Sequence, residues 1–393
     1  MPEGRRALVA NLVLQLAFGL LSMTICLPSM QDWPAAFHAS QASVQLTFSA
    51  YVATYGGMQL VYGPLSDRIG RKPVLMGGVA LSGLGALLAA LAPSLDLLIA
   101  ARVLQGAGSA AGMVMGRALV QDHFVGGERT RVMAGVGMTM GLVPPTATLL
   151  GGQLHVRFGW QSNFFLLAAL SVVLFVAAWR GLPTGRPARS GREDQAWLRE
   201  LVSGYSQLAR EPSFTWYVLL LSVTTATFYT FLGGAPIVLA HYGVTPDRLG
   251  WYIMMPPLAY IFGNAITVRL IRVRTEESVM LAGQIVTIAG LLIVLALGLV
   301  GPRHPLALSL PMVVLGIGHG LLVPPTLSGT VGLVPALAGS AAAVAGVMQQ
   351  LGGAIGGYSV GLVPHDGQVN LAALMLLWSA AGLAALLVLR RRR

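Results

Sequence analysis

Charge is what this sequence has least of. Of its 393 residues only 10% are Asp, Glu, Lys or Arg, against about 25% in soluble globular domains, and that deficit excludes an ordinary water-soluble enzyme. Acids are the scarcer sign: 14 Asp+Glu stand against 25 Lys+Arg, a net charge of +11. A basic balance of this size raises the question of nucleic acid, but such binding needs cations clustered on one folded, water-facing surface. Here the cations punctuate apolar stretches, and no nucleic-acid partner is expected. The single cysteine, Cys26, excludes an internal disulfide and cannot by itself hold zinc. H-E-x-x-H, paired carboxylates inside apolar segments and a G-x-x-x-x-G-K-S/T phosphate loop are all missing, which removes the parts for metal, acid–base and ATP-driven chemistry. Neither cofactor nor metal is expected, and an intramembrane enzyme is only a remote alternative.

What is present is apolar and rich in glycine. Hydrophobic residues make up 55%, mean hydropathy is +0.71 and glycine numbers 49, a composition suited to helices that pack closely in a bilayer. A crossing helix needs about 20 apolar residues. Cutting the chain at its charged and Pro/Asp-containing breaks leaves twelve such segments. The first six run over Leu8 to Pro28, Ser43 to Pro64, Val74 to Ala92, Ser94 to Arg117, Val132 to Leu154 and Asn163 to Trp179. The second six run over Phe214 to Leu239, Leu249 to Val268, Val279 to Val300, Leu306 to Leu333, Gly339 to Val363 and Asn370 to Leu389. The first segment lacks a small-residue cleavage site and reaches full spanning length, so a retained span is expected there rather than a signal peptide. Lys and Arg divide 21 to 3 between the two faces, with Arg102 inside a span. By the positive-inside rule both termini are expected in the cytoplasm.

The longest break, Gly181 to Ser213, separates six spans from six, giving expected domains 1–182 and 214–393 with a cytoplasmic linker at 183–213. Within it Trp197, Leu198, Leu201, Val202, Tyr205 and Leu208 recur at helical spacing. That is the pattern of an amphipathic helix on the membrane surface.

Polar residues inside spans are costly and therefore informative. Arg102 lies eight residues into its span and needs a carboxylate, helix-end carbonyls or an anionic ligand group as partner. Thr47, Tyr51, Tyr55, Gln59 and Tyr62 recur at steps of four and three on one helical face, as in a cavity wall or a packing seam, and Asn11 and Gln15 follow the same spacing. Thr227, Phe228, Phe231, Met254, Met255, Asn264, Met348 and Gln349 are candidates for an opposite wall. His319 is the histidine well inside a span and a candidate proton carrier.

The loop GPLSDRIGRKPV, Gly63 to Val74, gathers Asp67, Arg68, Arg71 and Lys72 at the membrane face, with Pro64 and Gly70 suited to a tight reversal. Such charges can serve as a latch between conformations, or simply enforce topology. Every defined position matches the G-x-L-S/A-D-R-x-G-R-K/R signature, and the segment resembles that of the major facilitator superfamily. LIAARVLQGAGSAA from Leu98 resembles that family's fourth-helix motif. GRALVQDHF from Gly116, GWQSNF from Gly159, Ala235-Pro236 and AGSAAAVAGVMQQLGG from Ala338 are similar to segments of Bcr/CflA-type drug exporters. The resemblance implies an all-α integral membrane protein of twelve helices in two six-helix bundles. It implies a monomer in the cell inner membrane that exports small amphipathic compounds by proton antiport in that family's manner. It also pairs the loop arginines with an acid after helix four, for which Asp122 is the match.

The fifth span, GMTMGLVPPTATLLGG, resembles the antiporter motif, with Gly141, Pro144, Pro145, Gly151 and Gly152 as its bend. Two departures stand out. Relatives commonly show a second proline where this chain has Thr148, and an acid in helix one where it has Thr24. None of the fourteen acids falls well inside an expected span. Asp32 is the acid positioned to approach Arg102. A facilitator, or an exporter of a specific anionic or neutral metabolite, therefore stands beside the antiporter reading.

Overall fold

The computed structural model describes residues 3–183, 206–301, 303–334 and 337–392, and its regular elements are all helical. Twelve helices of crossing length follow among the described residues. They are α1 (Glu3–Thr24), α2 (Gln41–Ile69), α3 (Arg71–Ala90), α4 (Leu95–His123), α5 (Gly126–Phe158), α6 (Gln161–Gly181) and α7 (Pro212–His241). Then come α8 (Pro246–Leu270, broken at Met254), α9 (Glu276–Val300), α10 (Met312–Gly332), α11 (Ala338–Ser359) and α12 (Gln368–Arg391). Ten of these regions are long and apolar enough to cross a membrane. The other two, α2 and α11, have the length but carry glutamines, glycines and hydroxyls along their faces.

Local chemistry sets the ends. The side chains of Ser40, Ser94 and Thr275 accept from the N–H three residues on and open α2, α4 and α9, satisfying donors that a helix start leaves bare. Pro256 and Pro257 cannot donate to the preceding turn, and α8 breaks just before them. The α2–α3 reversal differs from expectation. Pro64 lies within α2, and the turn is the single residue Gly70 at φ 96°, whose N–H returns to the Ser66 carbonyl at 2.9 Å. A proline near the end of a helix forfeits one bond without stopping it, whereas the left-handed φ at Gly70 does stop it. Of the linker's apolar face, Trp197 to Tyr205 lies outside the described residues. Leu208 is buried against Phe214, Val218, Leu221 and Ala341.

The described chain divides into two compact units: α1 to α6 with Pro246–Gly250, and α7 to α12 without that segment. Each is built from the same pairings. In the first, α3 packs on α4 and α6, α2 on α4, and α1 on α5 and α6. In the second, α9 packs on α10 and α12, α8 on α10, and α7 on α11 and α12. Glycines make these approaches possible: Gly78, Gly85 and Gly108 join α3 to α4, and Gly283, Gly290 and Gly318 join α9 to α10. Hydrogen bonds between helices reinforce them. Ser82 Oγ meets Ser109 Oγ at 2.8 Å, and Gln284 Nε2 donates to the Ser379 carbonyl at 2.7 Å.

The two kinds of glycine on α3 give a direct test. A Cβ at Gly85 would sit 2.6 Å from the Gln105 nitrogen and 2.9 Å from the Ala101 carbonyl, whereas one at Gly77 meets nothing within 4 Å. Gly85→Val is expected to cost roughly 1–3 kcal/mol by overpacking and to lower the melting temperature in detergent, and Gly77→Ala to leave it nearly unchanged.

Candidate functional site

Arg102 organises the first unit. It is fully buried on α4, where an unpaired charge would be costly. Its Nη1 donates to the Ser22 carbonyl at 2.9 Å and to Gln105 Oε1 at 2.6 Å. Nε and Nη2 reach the carbonyls of Thr47 and Met23 at 3.4 and 3.5 Å. The guanidinium also lies 4.2 Å from the Tyr51 ring centroid, within cation–π range. Ser22 and Met23 belong to the last turn of α1, whose carbonyls have no intrahelical donors and carry the negative end of the helix dipole. Of the three partners the sequence allowed, helix-end carbonyls are the ones found.

Asp32 does not approach this arginine. Its Oδ2 is 2.7 Å from Nε2 of His155, in the last turn of α5. The Asp32 side chain is 57% exposed and that of His155 10%, and His155 Nδ1 is buried without a partner. Beside the pair, Trp33 meets Trp160 edge to face at 5.9 Å and Phe164 face to face at 6.3 Å. His155 was missed by sequence reading, because 123 residues separate it from Asp32 and no local pattern joins them.

The polar stripes of α1 and α2 are largely engaged in helix packing. Asn11 Nδ2 donates to the Ala177 carbonyl at 2.7 Å and Gln15 Nε2 to that of Leu174 at 2.9 Å, tying α1 to α6. Tyr51 Oη donates to the Gly19 carbonyl at 2.7 Å, and its ring stacks on Tyr55 at 6.0 Å. Thr24 Oγ1 returns to its own helix at the Leu20 carbonyl. Gln59 is half-buried. On α5, Pro144 and Pro145 lie within one continuous helix, Thr148 donating to the Pro144 carbonyl at 2.8 Å. Gly141 is half-buried, and side chains at Gly151 and Gly152 would strike the carbonyls of Ile25 and Pro246.

In the second unit, Phe228 stacks on Phe231 at 6.4 Å, and Thr227 bonds back to the Val223 carbonyl. Met254 and Met255 are half-buried at the α8 break, Met348 is exposed and Gln349 half-buried. Tyr229 Oη donates to Gln350 Oε1 at 3.2 Å. His319 is buried on α10 between two glycines that hold that helix against α9 and α8.

At the α2–α3 turn, Arg71 is the hub. Its Nη1 lies 2.9 Å from Asp67 Oδ1 and donates to Ser66 Oγ at 2.5 Å, while Nε meets Asp122 Oδ2 of α4 at 3.3 Å. All three charged side chains are partly exposed, at 28, 42 and 44%. Lys72 Nζ donates to the carbonyls of Trp179 and Leu182 at 2.6 and 2.8 Å, capping the end of α6. That cap joins residues 107 and 110 apart, which sequence spacing could not disclose.

The Major Facilitator Superfamily model matches residues 11–357. The "Multidrug resistance protein D" of Escherichia coli (strain K12) is 30% identical over 376 residues, covering 94% of this chain and 92% of that protein. The "Chloramphenicol resistance protein" of Pseudomonas aeruginosa is 29% identical over 374 residues, covering 92% and 86%. Among solved structures, a "peptide transporter POT in complex with sulfate" aligns with a TM-score of 0.78 at 17% identity, covering 100% of this chain and 94% of that one.

The arginine socket has its own test. Lysine keeps the charge but cannot fork to several carbonyls, so Arg102→Lys is expected to lose roughly 1.5–3 kcal/mol, the worth of hydrogen bonds to a charged group. Chemical unfolding of the purified protein reads that loss; an unchanged midpoint would contradict the socket.

Proposed function

This chain belongs to the Major Facilitator Superfamily and is a membrane transporter, and we propose that it exports small amphipathic compounds by alternating access, in exchange for protons. The observation that carries the reading is the Arg71 hub. Partly exposed ion pairs are individually worth about 0–1 kcal/mol, so a cluster of them can be broken and remade during each transport cycle. The relatives named for multidrug and chloramphenicol resistance support export and a small-molecule substrate. The distribution of 21 Lys+Arg against 3 supports both termini lying in the cytoplasm of a cell with this protein in its inner membrane.

Coupling needs a proton acceptor, and the described acids all lie in helix end turns, at caps or in connections. We assign the outer acceptor to Asp32 with His155. With the Nε2 proton donated to Asp32, a second proton would place a donor on buried, partnerless Nδ1. The other titratable groups on the α1–α2 connection and α5 are Cys26, His38, Glu128, Arg129, Arg131 and Arg157, and Asp247 and Arg248 stand on α8. Substrate contacts are assigned to side chains that are not fully buried, Gln59 in the first unit and Phe228, Met254, Met348 and Gln349 in the second.

Inside-out vesicles supplied with chloramphenicol, tetraphenylphosphonium or deoxycholate test neutral, cationic and anionic amphiphiles in turn. Chloramphenicol is expected to accumulate several-fold when the vesicle interior is acidified, and Asp32→Asn or His155→Gln to remove that increment while equilibration persists. Equilibration alone in the wild type would instead establish a facilitator.

A further inference from the structure

We propose that Asn163 is the positioning residue of the Asp32–His155 pair: its amide fixes the α1–α2 connection against the outer end of α5. The proposal rests on the reading of that pair as the proton acceptor, and the geometry of the pair can be measured apart from transport.

The residue belongs to GWQSNF, Gly159 to Phe164, the segment that makes the α5–α6 reversal. Gly159 turns the chain at φ 81° and α6 begins at Gln161, so Asn163 stands in its first turn. There it is fully buried. Its Nδ2 donates to Ser29 Oγ at 3.1 Å and to the Gly151 carbonyl at 3.2 Å. A carbonyl only accepts, which sets the orientation of the amide.

Each acceptor is one short step from a member of the pair. Ser29 lies in the short helical turn Leu27–Gln31, and the Asp32 N–H donates to the Ser29 carbonyl at 3.2 Å. Gly151 is about one helical turn before His155 on α5, and its lack of a side chain lets that helix lie against the Ile25 carbonyl. The neighbours of Asn163 grip the same joint, Phe164 stacking on Trp33 at 6.3 Å and Trp160 meeting it edge to face at 5.9 Å.

Two features separate positioning from plain packing. Asn163 Oδ1 is buried without a partner, an arrangement that costs free energy. Leucine would fill similar space without that cost, so what the amide adds is its donation in two directions. The pair also needs such support, because the Asp32 side chain is largely exposed and an ion pair reached by water holds its own geometry weakly.

The test uses the full chain in liposomes with 15N-labelled histidine. The His155 Nε2 resonance, identified by its loss in His155→Gln, is read by solid-state NMR at one fixed, mildly alkaline pH, and Asp32→Asn marks where it falls once the carboxylate is gone. Asn163→Leu is expected to move it to nearly the same place, with no further movement when Asp32→Asn is added. Ser29→Ala, which removes one acceptor, is expected to move it part of the way and serves should the leucine variant fail to fold. Gln284→Leu, the loss of a buried amide tie in the second unit, is expected to leave it at the wild-type position. In acidified inside-out vesicles Asn163→Leu is expected to lose the acid-driven increment of chloramphenicol. A resonance unmoved in whichever variant folds, a full further shift on adding Asp32→Asn, or an equal shift in Gln284→Leu would overturn the positioning role. A moved resonance with the increment intact would support positioning and overturn the proton reading.

Discussion

The contact on which the first unit depends is a buried cation held by backbone. Arg102 donates to two carbonyls at the end of α1, to one of α2 and to Gln105 on its own helix, with its face against Tyr51. A guanidinium in an apolar interior needs compensating negative charge, and the unsatisfied end of a helix provides it without a carboxylate. The consequence reaches beyond packing. Because the charge is met by fixed dipoles, no acid has to enter the spans, and the described acids are free to lie at helix ends.

That arrangement separates roles often combined in one place. The Arg102 socket joins α1, α2 and α4 inside the unit, the Arg71 hub joins α2, α3 and α4 at one end, and the Asp32–His155 pair joins the α1–α2 connection to α5. The first is buried and costly to break, whereas the Arg71 hub is partly exposed and changes cheaply. A transporter needs both kinds of contact, since rigid units must move while their internal packing survives. The repeated pairings of α3–α4 with α9–α10 and α2–α4 with α8–α10 show how glycine supplies that rigidity in each unit.

The helical class and the helices themselves were legible because hydropathy and charge placement are local signals. The Asp67–Arg71 pair was legible because the two residues are four apart in the chain. What escaped notice depends on distant partners. Nothing near Lys72 announces the carbonyls of Trp179 and Leu182, and nothing near Asp32 announces His155. Asn11, Gln15 and Tyr51 read as possible cavity residues from their spacing, but spacing gives a face and not what covers it; α6 and the α1 backbone do. Pro64 was read as a turn residue, yet the left-handed φ of Gly70 makes the turn.

The proposed exchange of substrate for protons proceeds with no described acid inside a span. Proteoliposomes of known inside-out orientation, loaded with a pH-sensitive dye and given external chloramphenicol with no imposed gradient, address it directly. Exchange predicts that the interior turns alkaline as substrate enters and protons leave. Entry of chloramphenicol with the internal pH unchanged would contradict it.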